Sequence, residues 1–245
     1  MDHPVLLVHG LASSFEHNWR ATGWVDILAD DGRAALAVDL PGHGTNSAQD
    51  PAAVCPAAAV LAALGDHAEV DAVGFSAGGH ALLSAVLAAP RRFRRIALLG
   101  VGDPPPPRVS EGLPPIDIPN ESVLRLIRAL ESDAEPDDTA EPDDTAGRVL
   151  RRLALRAGND PRGVAAYLRA SPPPVPLASL AAISLPVLVV LGEHDFARPA
   201  DRLLAALPDT RLVTLAGVDH FGTPADYRCI EAVTRFLAGQ RLPGC

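Results

Sequence analysis

The sequence contains no lysine: all 21 of its basic residues are arginine. A lysine nucleophile or Schiff base is therefore excluded. Cysteine is scarce, with Cys55, Cys229 and Cys245 widely spaced and no C-x-x-C pair. Neither a zinc site nor a disulfide framework is expected, and a reducing cytoplasm is the default compartment. Cys245 is the last residue, whereas prenylation needs its cysteine four from the end. Long apolar runs are missing too, so no segment is expected to cross a bilayer. The opening residues, Met-Asp-His-Pro, lack the basic and long apolar stretches of a secretory signal. Nor is there an excess of positive charge. The 30 acidic residues give a formal net charge of −9. A nucleic-acid partner is not expected, since it would need a basic face to displace counterions from phosphates.

The negative charge that is present is concentrated. Glu131, Asp133, Glu135, Asp137, Asp138, Glu141, Asp143 and Asp144 follow one another without a basic residue between them, leaving 22 acidic against 21 basic residues elsewhere. The hexapeptide Glu-Pro-Asp-Asp-Thr-Ala stands at 135–140 and again at 141–146. Clustered carboxylates suit hard cations, but this spacing is not that of a calcium loop and each proline breaks local order. The reading is a solvated loop over 131–146 made by a small duplication, with no metal.

With 245 residues, 48% of them hydrophobic, the chain can bury one sizeable core. Short apolar runs alternate with helix-like stretches, the pattern of a mostly parallel sheet with crossover helices. Strands are expected at Pro4–Val8, Arg33–Leu40, Val70–Phe75, Arg95–Val101, Pro186–Leu191 and Arg211–Leu215, with helices at Ser76–Ala89 and Pro224–Leu237. The rhythm breaks at Pro104–Pro107 and resumes after Pro172–Pro174 and Pro176. Between them Glu121–Glu131, Arg148–Arg156 and a stretch opening at Asp160-Pro161 read as amphipathic helices. The expected organisation is a core of 1–102 and 186–245 interrupted by a helical insertion, 103–185, lying over the strand ends.

The chemistry is carried by Gly74-Phe75-Ser76-Ala77-Gly78, a G-x-S-x-G string placed directly after a strand and at the start of a helix. That setting exposes the serine on a sharp turn, and the helix amino terminus favours negative charge in front of it. A serine hydroxyl needs a base. His220, between the sixth strand and the last helix, is the best placed of the eight histidines. A carboxylate should orient the imidazole. Asp195 follows the fifth strand and is preferred, with Glu193, Asp201 and Asp219 as competitors. His9, His43 and Asp39 read as turn and packing residues. Trp19 and Trp24 leave two readings open, packing of a loop onto the sheet or lining of an acyl pocket.

These residues resemble an α/β-hydrolase. The resemblance rests on His9-Gly10-Leu11, on Asp39-Leu40-Pro41-Gly42-His43-Gly44, on the Ser76 turn, on Gly192-Glu193-His194-Asp195 and on His220. It implies an oxyanion hole formed by the amides of Leu11 and Ala77. Many such proteins have one or two strands ahead of the first strand found here, so either a sheet of about six strands or a late start is implied. The aspartate nucleophile of dehalogenases is absent, which removes haloalkane displacement.

The expectation is therefore a serine hydrolase with a helical cap, working on a carboxylic ester or related acyl compound without metal or organic cofactor. The aliphatic insertion favours a small or medium apolar group in the substrate. Thioesterase, lactonase, carbon–carbon bond hydrolase and cofactor-free perhydrolase activities would use a similar serine site. A non-catalytic binding protein on the same fold is the rival from another class. Substrate identity and oligomeric state are left open.

Overall fold

Six apolar runs pair into one sheet in a computed structural model that describes residues 3–104, 121–132 and 145–242. The strands are β1 (Val5–Val8), β2 (Ala35–Val38), β3 (Val70–Phe75), β4 (Phe93–Leu99), β5 (Val187–His194) and β6 (Thr210–Asp219), in the order β2-β1-β3-β4-β5-β6. Every pairing is parallel. β1 and β3 are buried along their whole length, whereas the edge strands β2 and β6 are partly exposed. That difference explains the unbroken Val/Leu runs of the inner strands, which must be apolar on both faces.

From β1 the chain goes outward to β2, then returns to β3 on the other side of β1 and proceeds away from it. The connections leaving the carboxyl ends of β1 and β3 therefore diverge and open a crevice between them. Helices α1 (Trp24–Asp30), α2 (Pro56–Ala62) and α3 (Ala77–Ala88) serve these crossovers, and α7 (Leu177–Leu180), α8 (Asp201–Ala206) and α9 (Tyr227–Leu237) complete the flanks. The sequence reading left α1, α2, α7 and α8 unassigned. None exceeds seven residues, too short for a 3.6-residue period to stand out.

Two apolar clusters lie on the sheet, one around Leu6, Val8, Leu82 and Val189, the other around Leu7, Trp19, Leu188 and Phe236. A third is formed by α4 (Glu121–Glu131), α5 (Thr145–Arg156) and α6 (Pro161–Ala170), and it encloses Ala12 from the loop after β1. The helices between β4 and β5 thus pack onto the loop after β1 around Ala12 and Leu11.

Several boundaries differ from expectation for identifiable reasons. Ser76 lies outside α3 because its backbone is left-handed, φ 50° and ψ −116°. The final helix begins at Tyr227, where Asp226 caps it by accepting from the Arg228 amide at 2.9 Å. β5 and β6 run past their apolar segments until His194 pairs with Asp219. Glu131 closes α4, with its carboxylate on the Arg169 guanidinium, and Thr145 opens α5. The acidic stretch between them, 133–144, which holds most of the tandem hexapeptide, lies outside the described residues, as do 105–120.

Candidate active site

The turn from β3 into α3 is built by close approach. A side chain at Gly78 would put its Cβ 2.4 Å from the carbonyl oxygens of Val8 and His9, and one at Gly74 would meet the backbone of Gly78 and Gly79 at 2.8 Å. These glycines let α3 sit directly on β1 and β3. The unusual dihedral falls on Ser76 itself, one of two non-glycine residues with positive φ among the described residues. Such a conformation persists only where its surroundings enforce it. Here the Ser76 amide donates to Leu99 O at 2.8 Å, and the Gly79 amide donates to Ser76 O at 2.9 Å.

The extended pairing of β5 with β6 brings two further side chains together. His194 and Asp219 are partners across the ladder, so the next residues, Asp195 and His220, leave the sheet side by side. The His220 Nδ1–H donates to Asp195 Oδ1 at 2.8 Å, which leaves Nε2 to accept from Ser76 Oγ at 3.0 Å. Asp195 Oδ1 also accepts from the Ala197 amide at 2.8 Å. Both Asp195 and His220 are buried, while Ser76 is partly exposed. The imidazole ring is packed by Phe196 (centroids 4.1 Å), Phe75 (5.0 Å) and Phe221 (5.4 Å). Gly100, at φ 62°, leaves room for it, since a Cβ there would stand 2.9 Å from His220 Cε1.

The competing carboxylates are engaged elsewhere. Glu193 accepts from the Gly217 amide at 2.9 Å, and Asp219 from that of Gly222 at 2.8 Å. Asp201 begins α8 on the surface. Ser76, His220 and Asp195 form the continuous set.

The loop after β1 faces this set. Gly10 N donates to Asn18 Oδ1 at 3.0 Å, Ala12 N to His43 Nε2 at 3.1 Å, and Ser13 N to Gly10 O at 3.2 Å. The Leu11 amide between them has no partner among the described residues, and neither has the Ala77 amide at the first position of α3. Two unspent donors thus flank Ser76, an arrangement suited to an oxyanion.

Buried polar side chains hold the loop from behind. Asp39 accepts from the amides of Phe15 (2.7 Å) and Thr45 (2.8 Å). Burial alone would raise its carboxyl; those amide bonds outweigh it and bring the group below the usual range. His9 accepts from Leu40 N at 3.0 Å through Nε2 and turns Nδ1 to Gly10 O at 2.7 Å. His43 turns Nδ1 to Pro41 O at 3.0 Å. Burial pushes His43 down to about 3, so its ring stays neutral and keeps Nε2 as an acceptor. Trp19 and Trp24 are fully buried, edge to face at 5.1 Å, with Trp24 Nε1 donating to Pro224 O at 2.7 Å. They pack the loop onto the sheet and line none of the three cavities around Ser76.

The largest of these, about 310 Å³, opens over Ser76 and His220, walled by Phe75, Phe196, Phe221 and Leu153, with His17, Asn18 and Thr22 along one side. A second, about 210 Å³, is also lined by Ser76 and His220, between Phe196, Asp103 and Pro174. The smallest, about 150 Å³, lies beside Leu11 and Ala77, against His80, Ala81, Tyr167 and Leu168. Sequence reading missed Phe196, Phe221, Asn18 and Tyr167 as parts of the site. Phe196 directly follows Asp195 and Phe221 directly follows His220, which was the available signal; Asn18 and Tyr167 offered none. Among the described residues no group of three His, Cys, Asp or Glu side chains could hold a metal ion, and no helix is long and apolar enough to cross a membrane.

Residues 5–228 match the model of the alpha/beta hydrolase family, and the chain belongs to that family. Its fold is shared with a thermophilic esterase from Thermogutta terrifontis at 21% identity, TM-score 0.70, covering 98% of this chain and 90% of that one. It is also shared with a bromoperoxidase from Bacillus anthracis, at 18% identity and TM-score 0.71, over 98% and 93% of the two chains. A 2-hydroxy-6-oxo-6-phenylhexa-2,4-dienoate hydrolase from a Rhodococcus species gives 19% identity and TM-score 0.65, over 97% and 91%. A comparison with curated proteins gives no match.

Proposed function

We propose that the protein is a serine hydrolase that cleaves a carboxylic ester through an acyl-enzyme. Ser76 Oγ attacks the carbonyl carbon while its proton passes to His220 Nε2, and Asp195 stabilises the imidazolium through Nδ1–H. The carbonyl oxygen, now negative, takes the free amides of Leu11 and Ala77. His220 then gives its proton to the departing alkoxide, and a water deprotonated by the same ring releases the acid. The observation that carries this reading is the bond series Ser76 Oγ–His220 Nε2 at 3.0 Å and His220 Nδ1–Asp195 Oδ1 at 2.8 Å, beside two unspent amides.

The proton path also sorts the cavities. His220 must reach the leaving oxygen, so the alcohol portion lies on the side of His220, which lines both the 310 Å³ and the 210 Å³ cavities. The acyl portion turns towards the third, away from His220, whose 150 Å³ is comparable to a cavity that holds one benzene ring. The largest and the smallest are mainly apolar, which suits an uncharged substrate. Thioester, lactone, carbon–carbon and perhydrolysis chemistry would employ the same three side chains. The thiols Cys55 and Cys229 are free, in keeping with a reducing, cytoplasmic setting.

Incubation with a fluorophosphonate followed by peptide mass spectrometry tests the mechanism, and label on Ser76 is expected. Absence of label, or label on another residue, overturns it. Competition by a panel of esters, thioesters and lactones then ranks the chemistry. Short acyl chains on bulky alcohols should outperform the reverse pairing.

A further inference from the structure

Asn159 lies in the insertion, between α5 and α6, yet its side chain is spent on the core. It is 3% exposed. Its Oδ1 accepts from the Gly44 amide at 2.8 Å, and its Nδ2 donates to Ser13 O at 2.8 Å. One end must accept and the other must donate, so the amide orientation is forced by its partners. Gly44 belongs to the loop after β2, and Ser13 to the loop that carries Leu11. A single side chain from the insertion thus clamps together the two loops that form the oxyanion side.

The local sequence fixes where this side chain sits. Gly158, at φ 74°, ends α5 in the left-handed turn that glycine favours, and the Asn159 amide closes the turn on Ala154 O at 2.8 Å. Immediately afterwards Asp160 caps α6 by accepting from the Arg162 amide at 2.9 Å, with Pro161 at the first helical position. Gly-Asn-Asp-Pro is therefore a rigid corner with Asn159 at its inner side. The corner also seats backbone on backbone, because a Cβ at Gly163 would stand 3.0 Å from Gly42 O. Tyr167 of α6 meets the His43 ring edge to face at 5.1 Å.

What these contacts hold in place is strained. Ala12, between Leu11 and Ser13, is the other non-glycine residue with positive φ among those described, at 61°. An alanine keeps that conformation only when its neighbours over-determine it. Its amide is held by His43, its methyl by the apolar cluster of the insertion, and the next carbonyl by Asn159. Release of Ser13 O would let Ala12 relax to negative φ, and the peptide that carries the Leu11 amide would turn with it.

We infer that Asn159 is a positioning residue for catalysis: the insertion sets the oxyanion donor of the core through it. This rests on the hydrolase reading above. Asn159→Ala removes both bonds, while Asn159→Asp, close in shape, keeps the acceptor for Gly44 and loses the donor to Ser13. Active serines are first counted with fluorophosphonate, and kcat is expressed per labelled site, so that a loss of folded protein does not enter the value. Both variants should lose on the order of 10- to 100-fold in kcat with KM nearly unchanged. Affinity for a trifluoromethyl ketone, which forms an oxyanion on Ser76, should fall by the same factor. Should kcat per labelled serine stay at the wild-type value in Asn159→Asp, the inference fails and Asn159 is only structural. Failure of the wild-type protein to label at Ser76 would instead defeat the hydrolase reading itself.

Discussion

The two sides of the site are built differently. On the serine side the backbone does the positioning: β3 turns into α3 over glycines that admit no Cβ, and the register of β5 with β6 sets Asp195 beside His220. On the oxyanion side the backbone is a loop, and side chains hold it. Asn18, Asp39, His43 and Asn159 each take one polar group of residues 10–15. A backbone-built side resists change except at the residues that touch. A side-chain-built side depends on buried polar groups that are costly to leave unpaired. The lesson is that in the proposed reaction the nucleophile sits on the backbone-built half, while the half that would match the developing charge is adjusted by residues far apart in sequence.

The largest effect expected is on the rigid half. Ser76→Ala should abolish fluorophosphonate labelling and lower ester turnover on the order of 10,000-fold to a million-fold. The fold should be intact by circular dichroism, because the alanine inherits the same backbone bonds. Label surviving elsewhere would show that the nucleophile is misassigned. Next comes Asp195→Asn, with a fall of about 10,000-fold at neutral pH, since an amide favours the wrong imidazole tautomer. Glu193→Gln keeps an acceptor for the Gly217 amide and should cost less than about tenfold. If Glu193→Gln proves the more damaging of the two, Glu193 and not Asp195 is the acid.

Gly78→Ala tests the backbone side by packing alone. Its new methyl would stand 2.4 Å from two carbonyl oxygens of β1 and the residue after it, so α3 must move. Overpacking of this kind costs about 1–3 kcal/mol, visible as a lower urea midpoint. It should also slow labelling of Ser76, because the turn moves with the helix. A variant with unchanged midpoint and labelling rate would mean that the serine side is less rigid than its geometry implies.

The same contrast governs what could be read from sequence. The rigid side is contiguous: five residues around Ser76 carry the turn, and their place after a Val-rich run suffices to locate it. Asp195 and His220 were legible because each follows an apolar strand, although the ladder that joins them extends through Glu193, His194 and Asp219, which are polar and gave no strand signal. The oxyanion side is dispersed from Gly10 to Asn159. Leu11 and Ala77 came only from the family resemblance. His9, His43 and Asp39 were recognisable as turn residues, but not as holders of particular amides. Asn159 was invisible, since an Asn in a Gly-Asn-Asp-Pro corner looks like any turn asparagine. The helices α1, α2, α7 and α8 escaped for want of length, being too short to show a periodicity of their own.

The smallest effect is one of pH, and it belongs to the side-chain half. His43 is pushed from 6.5 down to about 3 by burial. In the unfolded chain the same imidazole takes up a proton as pH falls through 6.5, while in the folded protein it stays neutral until about 3. Between these values the unfolded state binds more protons, so stability must fall as pH is lowered. His9, lowered mainly by burial, acts in the same direction. Asp39 adds to it only in stronger acid, where its depressed carboxyl stays charged after the unfolded one has protonated. Over pH 6 to 4, urea unfolding of the wild type should thus lose stability more steeply than that of His43→Gln. The difference should approach about 1.4 kcal/mol per pH unit, one proton, at its acid end. Other carboxylates titrate alike in both proteins and cancel in that difference. Parallel slopes would mean that the His43 ring is already open to water and protons in the folded state, and that the Ala12 amide is not held by a permanently neutral acceptor.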